Sequence, residues 1–327
     1  MKRILLIIGF GLLYTSDAYT QSIAGITGVR DTSYTTYSAF ISSKKTNPDI
    51  KIVEEFHFAA VREKRNIGYC RTGSRSLLLD AFYPKKKKAA GRPAIIIIHG
   101  GGWRSGDRSQ HYPLAQQLAS LGYVCFTPEY RLSTEAFYPA AVYDIKAAIR
   151  WVKKNAQRYN IDTAKLTILG FSSGGQLAAL MATTNDNPVF EGSACNEKYS
   201  TQVHALVDID GILAFIHPES GEGDDSKKTS AATYWFGYSK NENPGLWQQA
   251  SPLTYAGKQT PPTLFINSSV ARMHAGREDY IRILTGNNIY TEVRSFENAP
   301  HSFCLFEPWF EPTVKYIDDF LKKIFNR

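Results

Sequence analysis

Apolar residues fall in short runs along most of the chain, and the period within those runs alternates. Residues 94–98, isoleucine-rich and bounded by Pro93 and Gly100, read as a strand buried on both faces. Residues 112–121 predict a helix that stops at Gly122, and 123–127 predict the next strand. Over 140–157, Ala141, Ile145, Ala148, Ile149 and Val152 recur at helical spacing, so this segment is an amphipathic helix. Strands at 166–169, 203–209, 263–267 and 291–296 alternate with helices at 175–181, 276–284 and 313–325. Upstream, 66–71 and 76–82 read as two strands joined by the turn Thr72-Gly73-Ser74. This alternation predicts an α/β fold: a mostly parallel central sheet with helices on both faces. Ligands of such sheets bind beyond the carboxyl ends of the strands. No internal repeat or linker divides 66–327, which therefore reads as one domain.

The N-terminus follows a different pattern. Lys2 and Arg3 precede an apolar run over 4–14, followed by small and polar residues that include Ala18, Tyr19 and Thr20. That is the outline of a secretory signal peptide spanning 1–20, and the run is too short to cross a bilayer as a helix. The expectation is an exported protein, periplasmic or secreted, with no membrane contact after cleavage. No cysteine stands near the cleavage region to carry a lipid anchor. Residues 21–65 are rich in Ser, Thr and Tyr without a clear period, and are expected to lead into the domain with one strand near 50–58.

Composition narrows the function classes. The 327 residues are 43% hydrophobic and 21% charged, which excludes disordered and collagen-like chains. The net charge of +8 includes the run Lys85 to Lys88, read as a solvated loop between strands. Basic and aromatic residues are not interleaved as in a nucleic-acid groove, so no nucleic-acid partner is expected. The four cysteines, Cys70, Cys125, Cys195 and Cys304, form no CxxC pair, which argues against a zinc ribbon or thioredoxin-type site. Export permits a disulfide, and four cysteines allow three pairings among which the sequence does not choose.

Two glycine motifs carry the chemistry. Gly170-Phe171-Ser172-Ser173-Gly174 follows the strand at 166–169 and opens a helix. This is GxSxG in the strand–turn–helix setting that lifts a serine above the sheet, so Ser172 is the candidate nucleophile. His99-Gly100-Gly101-Gly102-Trp103 follows the buried strand at 94–98 and is the rarer pattern by chance. Backbone N–H groups in a glycine loop approach a ligand closely and stabilise a developing oxyanion. The expected donors are Gly101, Gly102 and Ser173, with His99 bonding backbone within its own loop. Of the seven histidines, His301 lies beyond the last strand and follows Ser172 in chain order, as a general base of this topology must. His204 lies at the wrong end of the sheet, and His274 is expected to line the site or cap the helix after it.

With Glu129 to Leu132 and Asn298 to His301, these motifs resemble the α/β-hydrolase fold. More narrowly they resemble serine esterases with an HGGGW oxyanion motif, and exported bacterial carbohydrate esterases of acetyl- and feruloyl-esterase type. The resemblance covers about 66–327 and implies Ser172 as nucleophile, His301 as base and no cofactor. It implies hydrolysis of carboxylic esters, on small molecules or on plant-type polysaccharides.

The chain departs from that pattern at the acid. Many relatives carry Asp a few residues beyond the strand at 263–267, where this chain reads Ser268-Ser269-Val270-Ala271-Arg272. Asp210, ending the preceding strand, has the simplest geometry as replacement. Glu278 and Asp279 are the alternatives and would have to reach back from a helix; Asp208 points the same way but deeper. Between residues 213 and 247, Tyr234, Trp235, Phe236, Tyr238 and Trp247 form either a sugar-stacking surface or a hydrophobic cluster under a long loop. Residues 222–225 lack the spacing of a calcium loop and read as solvated. Two other functions share parts of this pattern. One is a prolyl-oligopeptidase-like peptidase, against which no propeller domain precedes the motifs; the other is a binding protein that kept the fold and lost its acid. The oligomeric state is not readable.

Overall fold

The computed structural model describes residues 25–192 and 195–325. The expected signal peptide lies outside the described residues. Eight strands form the central sheet: β1 (Val61–Thr72), β2 (Arg75–Pro84), β3 (Arg92–Ile98), β4 (Val124–Pro128), β5 (Ile161–Phe171), β6 (Ala205–Ile209), β7 (Thr263–Asn267) and β8 (Thr291–Ser295). Their spatial order is β1-β2-β4-β3-β5-β6-β7-β8. β1 pairs antiparallel with β2, and β2 with β4; every later pairing is parallel. Arg75 pairs with Thr72, so the hairpin turns where the sequence places it.

The alternation of side chains in β3 shows why this sheet must be covered twice. Ala94, Ile96 and Ile98 enter one apolar cluster and Ile95 and Ile97 the other, all essentially inaccessible to water. Each isoleucine so buried contributes about 1.5–3 kcal/mol, which holds only if both faces are roofed. Helices α3 (Ala140–Lys154) and α4 (Ser173–Thr183) roof the first face. Helices α2 (Tyr112–Ser120) and α6 (Phe310–Phe325) roof the second. Helix α5 (Arg277–Gly286) packs Tyr280 and Leu284 beside the first group.

The N-terminal segment departs from expectation. The extended run near 50–58 is reduced to Lys51–Ile52, which pairs with Phe306–Glu307 in a separate two-stranded sheet. Helix α1 (Thr36–Ser43), capped by Thr35, precedes it, and β1 begins at Val61, ahead of the expected start at residue 66. Because these residues pack piecewise on distant loops, no single period marks them in the sequence.

The insertion between β6 and β7 settles two further points. Trp235, Phe236 and Trp247 are buried: Trp235 stacks on Trp103, while Phe236 meets Trp235 and Trp247 at a tilt, and Tyr138 and Phe215 meet Trp235 and Trp247 respectively edge-on. They are a core cluster, and stacking on a sugar falls away for them. The acidic loop is structured where solvation was expected: Asp225 accepts from the Ser230 N–H and the Thr233 hydroxyl, and Glu222 pairs with Arg272. Lys85 to Lys88 are exposed, as expected. Cys70 and Cys195 form a disulfide with Cα atoms 5.6 Å apart, while Cys125 and Cys304 are buried free thiols.

Candidate active site

Ser172 ends the turn from β5 into α4 with φ 57° and ψ −122°, a left-handed conformation unusual for a residue with a side chain. The turn closes so tightly that a Cβ on Gly170 would lie 1.9 Å from the Gly174 carbonyl oxygen. A Cβ on Gly174 would lie 2.2 Å from the Ile98 carbonyl oxygen on β3. The two fixed glycines of the motif are therefore required by backbone contact, and they place the Ser172 hydroxyl at the carboxyl edge of the sheet.

Three side chains from three loops meet there. The Ser172 Oγ lies 2.8 Å from His301 Nε2, and His301 Nδ1 lies 2.9 Å from Asp210 Oδ2. A carboxylate only accepts, so Nδ1 carries the imidazole proton and Nε2 presents its lone pair to the serine. Asp210 is fully buried just past the end of β6. Its other oxygen, Oδ1, accepts from the Ser268 N–H at 2.8 Å and from Asn267 Nδ2 at 3.3 Å. Thus the loop after β7, which carries no carboxylate, grips the acid supplied by β6.

The rival acids are elsewhere. Glu278 is exposed and paired with Arg277, and Asp279 binds His217 and Arg282. Asp208 is buried, its Oδ1 accepting from the Gly211 N–H at 2.7 Å. Burial pushes its carboxyl well above the usual range, and that hydrogen bond opposes the shift. His274 neither lines the pocket nor caps α5; its Nε2 lies 3.8 Å from Asp210 Oδ1, behind the acid. Burial lowers the pKa of His274, and the Asp210 charge acts the other way.

The pocket in front of Ser172 has a volume of about 320 Å³ and is lined by Gly101, Gly102, Ser173 and His301. All three residues expected to supply oxyanion donors thus line the cavity that holds the serine, and Ser173 is also the first residue of α4, whose N-terminus favours negative charge. Trp103, Ile212 and Met273 form apolar wall, and Glu222 and Arg272 add an ion pair at 3.0 Å. His99 does not enter this cavity; its Nδ1 lies 2.9 Å from the Gly100 carbonyl oxygen, as the sequence suggests. A second cavity of about 200 Å³, bordered by His111 and Cys304, contains none of these groups.

Two contributions were not legible in the sequence. Tyr34 lines the pocket, and its hydroxyl lies 3.2 Å from the Ser302 hydroxyl, next to His301. Arg30 reaches the glycine loop from outside. Both come from the segment without periodicity, and no local motif marks either.

A mostly parallel sheet in this strand order, with a serine on the turn after β5 and a histidine and aspartate beyond later strands, defines an α/β-hydrolase with a Ser–His–Asp constellation. The family follows from residues 79–272, which match the BD-FAE model: the chain belongs to the BD-FAE family. It is 32% identical over 193 residues to Esterase LipQ of Mycobacterium tuberculosis, covering 58% of this chain and 45% of that protein. The chain spans about half the length of the curated relatives it matches. Among solved structures it is similar to a truncated carbohydrate esterase from gut microbiota, at 25% identity and TM-score 0.68. That match covers 83% of this chain and all of the other. Esterase 2 of Thermogutta terrifontis, at 23% identity and TM-score 0.65, shares the fold over 84% of this chain and 96% of its own.

Proposed function

We propose that the chain is a serine hydrolase of carboxylic esters working through an acyl-enzyme. The observation that carries this reading is the unbroken chain from Ser172 Oγ through His301 to buried Asp210, opening on a pocket edged by Gly101 and Gly102. His301 Nε2 takes the serine proton as Oγ attacks the ester carbonyl. The carbonyl oxygen becomes an oxyanion against the N–H groups of Gly101, Gly102 and Ser173. When the tetrahedral intermediate collapses, the C–O bond to the alcohol breaks and His301 returns its proton to the departing oxygen. Water, deprotonated by the same nitrogen, then releases the acid and restores Ser172. Asp210 holds the imidazole tautomer and stabilises the imidazolium formed in each half-reaction.

Hydrolysis of p-nitrophenyl acetate tests this. Ser172→Ala should remain folded and lose on the order of 10⁴-fold or more in kcat, with His301→Ala as damaging and the pair little worse than either. A phosphonate should label Ser172 in the unaltered chain. Activity of Ser172→Ala within tenfold of the unaltered chain overturns the assignment.

The finer reading is acetyl or feruloyl esters of plant-type polysaccharides, cleaved after export and removal of residues 1–20. The likeness to a carbohydrate esterase supports it, as does a pocket combining apolar Trp103, Ile212 and Met273 with the polar Glu222–Arg272 pair. Identifying the acid released from acetylated and from feruloylated polysaccharide tests the substrate. Release of neither, with p-nitrophenyl acetate still cleaved, removes this substrate class. N-terminal sequencing of protein recovered outside the cytoplasm tests export.

A further inference from the structure

We propose that Arg30 is a positioning residue for the oxyanion site, acting through the tautomer of His99 on the direction of the Gly101 N–H. The proposal rests on the reading of Gly101 as an oxyanion donor.

The Arg30 guanidinium donates from Nη1 to the Tyr130 carbonyl at 2.9 Å and from Nη2 to the Gly106 carbonyl at 3.2 Å. The same Nη2 lies 3.3 Å from His99 Nε2. A guanidinium has donors and no acceptor, so Nε2 must present a lone pair. On the other side of the ring, Nδ1 lies 2.9 Å from the Gly100 carbonyl oxygen, which only accepts, so Nδ1 must carry the proton. The two contacts demand the same neutral tautomer from opposite sides. Tyr130 stacks on the ring at 4.5 Å, and its hydroxyl donates to the His99 carbonyl at 3.0 Å, fixing ring plane and backbone together. Burial first, and the Arg30 charge second, hold His99 down at about 3; the Gly100 carbonyl and Asp107 act upward and His111 downward.

The consequence lies one bond further on. The Gly100–Gly101 peptide is trans, so its C=O and N–H point in opposite directions. Tying the Gly100 oxygen to His99 Nδ1 turns the Gly101 N–H away from the ring, and Gly101 lines the Ser172 pocket. With the other tautomer, Nδ1 would set a lone pair against the Gly100 oxygen, and this peptide would be pushed to rotate. Glycine on both sides leaves no side chain to resist that rotation, while the Gly100 N–H bond to Gln110 Oε1 and the Arg104 and Ser105 N–H bonds to the Gly101 carbonyl hold the flanking peptides. The arm carrying Arg30 is itself fastened to the loop, since the Tyr34 N–H donates to the Ser105 hydroxyl, which donates to Asp31.

The test pairs kinetics with the tautomer itself. Arg30→Met should lower kcat on p-nitrophenyl acetate about 10- to 100-fold with KM nearly unchanged, less than or equal to loss of a whole donor. Added methylguanidinium should restore part of the rate, and Arg30→Lys should fall between. In ¹⁵N-histidine spectra, with His99 identified by the signal lost in His99→Gln, the Nδ1–H pattern of the unaltered chain should give way to a mixture in Arg30→Met. Unchanged kcat in Arg30→Met overturns the proposal, as does a lowered kcat with His99 still in the Nδ1–H form. If Arg30→Met does not fold, Arg30→Lys carries both readouts. Failure of the ester-hydrolase reading is seen separately, as an active Ser172→Ala variant, while the tautomer measurement needs no turnover.

Discussion

Asp210→Asn is the sharpest test of the site, because the surroundings dictate which way the new amide must lie. Asp210 Oδ1 receives two donors, the Ser268 N–H and Asn267 Nδ2, and Oδ2 receives one, from His301. An asparagine must therefore place its oxygen at the Oδ1 position and its NH₂ group against His301 Nδ1. The reverse orientation would face NH₂ with two N–H donors in a site with no access to water. At about 1–3 kcal/mol for each buried group left unsatisfied, that flip costs roughly 2–6 kcal/mol. With NH₂ facing it, His301 Nδ1 becomes an acceptor and the ring proton moves to Nε2, where it points at Ser172. The imidazole then cannot take the serine proton. The same replacement in another serine hydrolase costs about 10⁴-fold in kcat, and at 1.36 kcal/mol per factor of ten that is about 5.4 kcal/mol of transition-state stabilisation. Asp210→Ala, which imposes no tautomer, should be no worse than Asp210→Asn despite its larger loss of packing. Initial rates with p-nitrophenyl acetate measure kcat, and phosphonate labelling of Ser172 should slow in parallel. Glu278→Gln and Asp279→Asn should stay near the unaltered rate. An Asp210→Asn rate within tenfold of the unaltered chain, or a rate that collapses only in the α5 variants, refutes the reasoning.

Gly102→Ala, whose Cβ would meet the Ala231 methyl at 2.9 Å, should cost about 10²-fold in kcat, roughly 2.7 kcal/mol, with KM little changed; a pure KM effect would show a binding loop instead. Gly101→Ala should be harsher and lower the melting temperature as well, since φ is 130° and the Cβ would lie 1.9 Å from the Ser105 carbonyl oxygen; normal thermal stability argues against this packing. For Asp208, the raised pKa means that the stability owed to its protonated form is present at low pH and lost as pH rises through the folded-state value. Asp208→Asn, which cannot ionise, should therefore gain stability relative to the unaltered chain as pH rises from acid toward alkaline, and a pH-independent difference in denaturation midpoint contradicts this. Replacing Cys70 and Cys195 by serine opens a link between residues 125 positions apart and should cost about 2–5 kcal/mol without changing kcat; an unchanged midpoint before and after reduction would count against the bond.

Much of the site was legible because its chemistry is carried by contiguous residues. GxSxG after a strand and the HGGG loop after a buried strand are local patterns, and backbone sterics alone explain the glycines at 170 and 174. His301 followed from chain order, and the alternation of periods located the strands from β3 onward. What the sequence left open were choices between partners far apart along the chain. Asp210 and Asp279 were both admissible until the amide of Ser268 and the side chain of Asn267 were seen to close on one of them. The aromatic insertion was compatible with a sugar-binding surface until Trp235 and Trp247 proved to be buried against Phe215.

Residues 25–35 show the difference most directly. Periodicity reports an element that buries one continuous face, and this arm buries none. It contributes single hydrogen bonds to loops 69 or more residues away, Arg30 to His99 and Gly106 and Tyr34 to Ser105 and Ser302. The sequence by itself pointed to the fold class and to the serine, the histidine and the glycine loop that the fold brings together at one pocket, since each depends on interactions within a few residues or on the order of elements. Only the tertiary structure decided which carboxylate meets His301, which cysteines pair and which arm lies behind the glycine loop, because each is a meeting of side chains whose distance in space bears no relation to their distance along the chain.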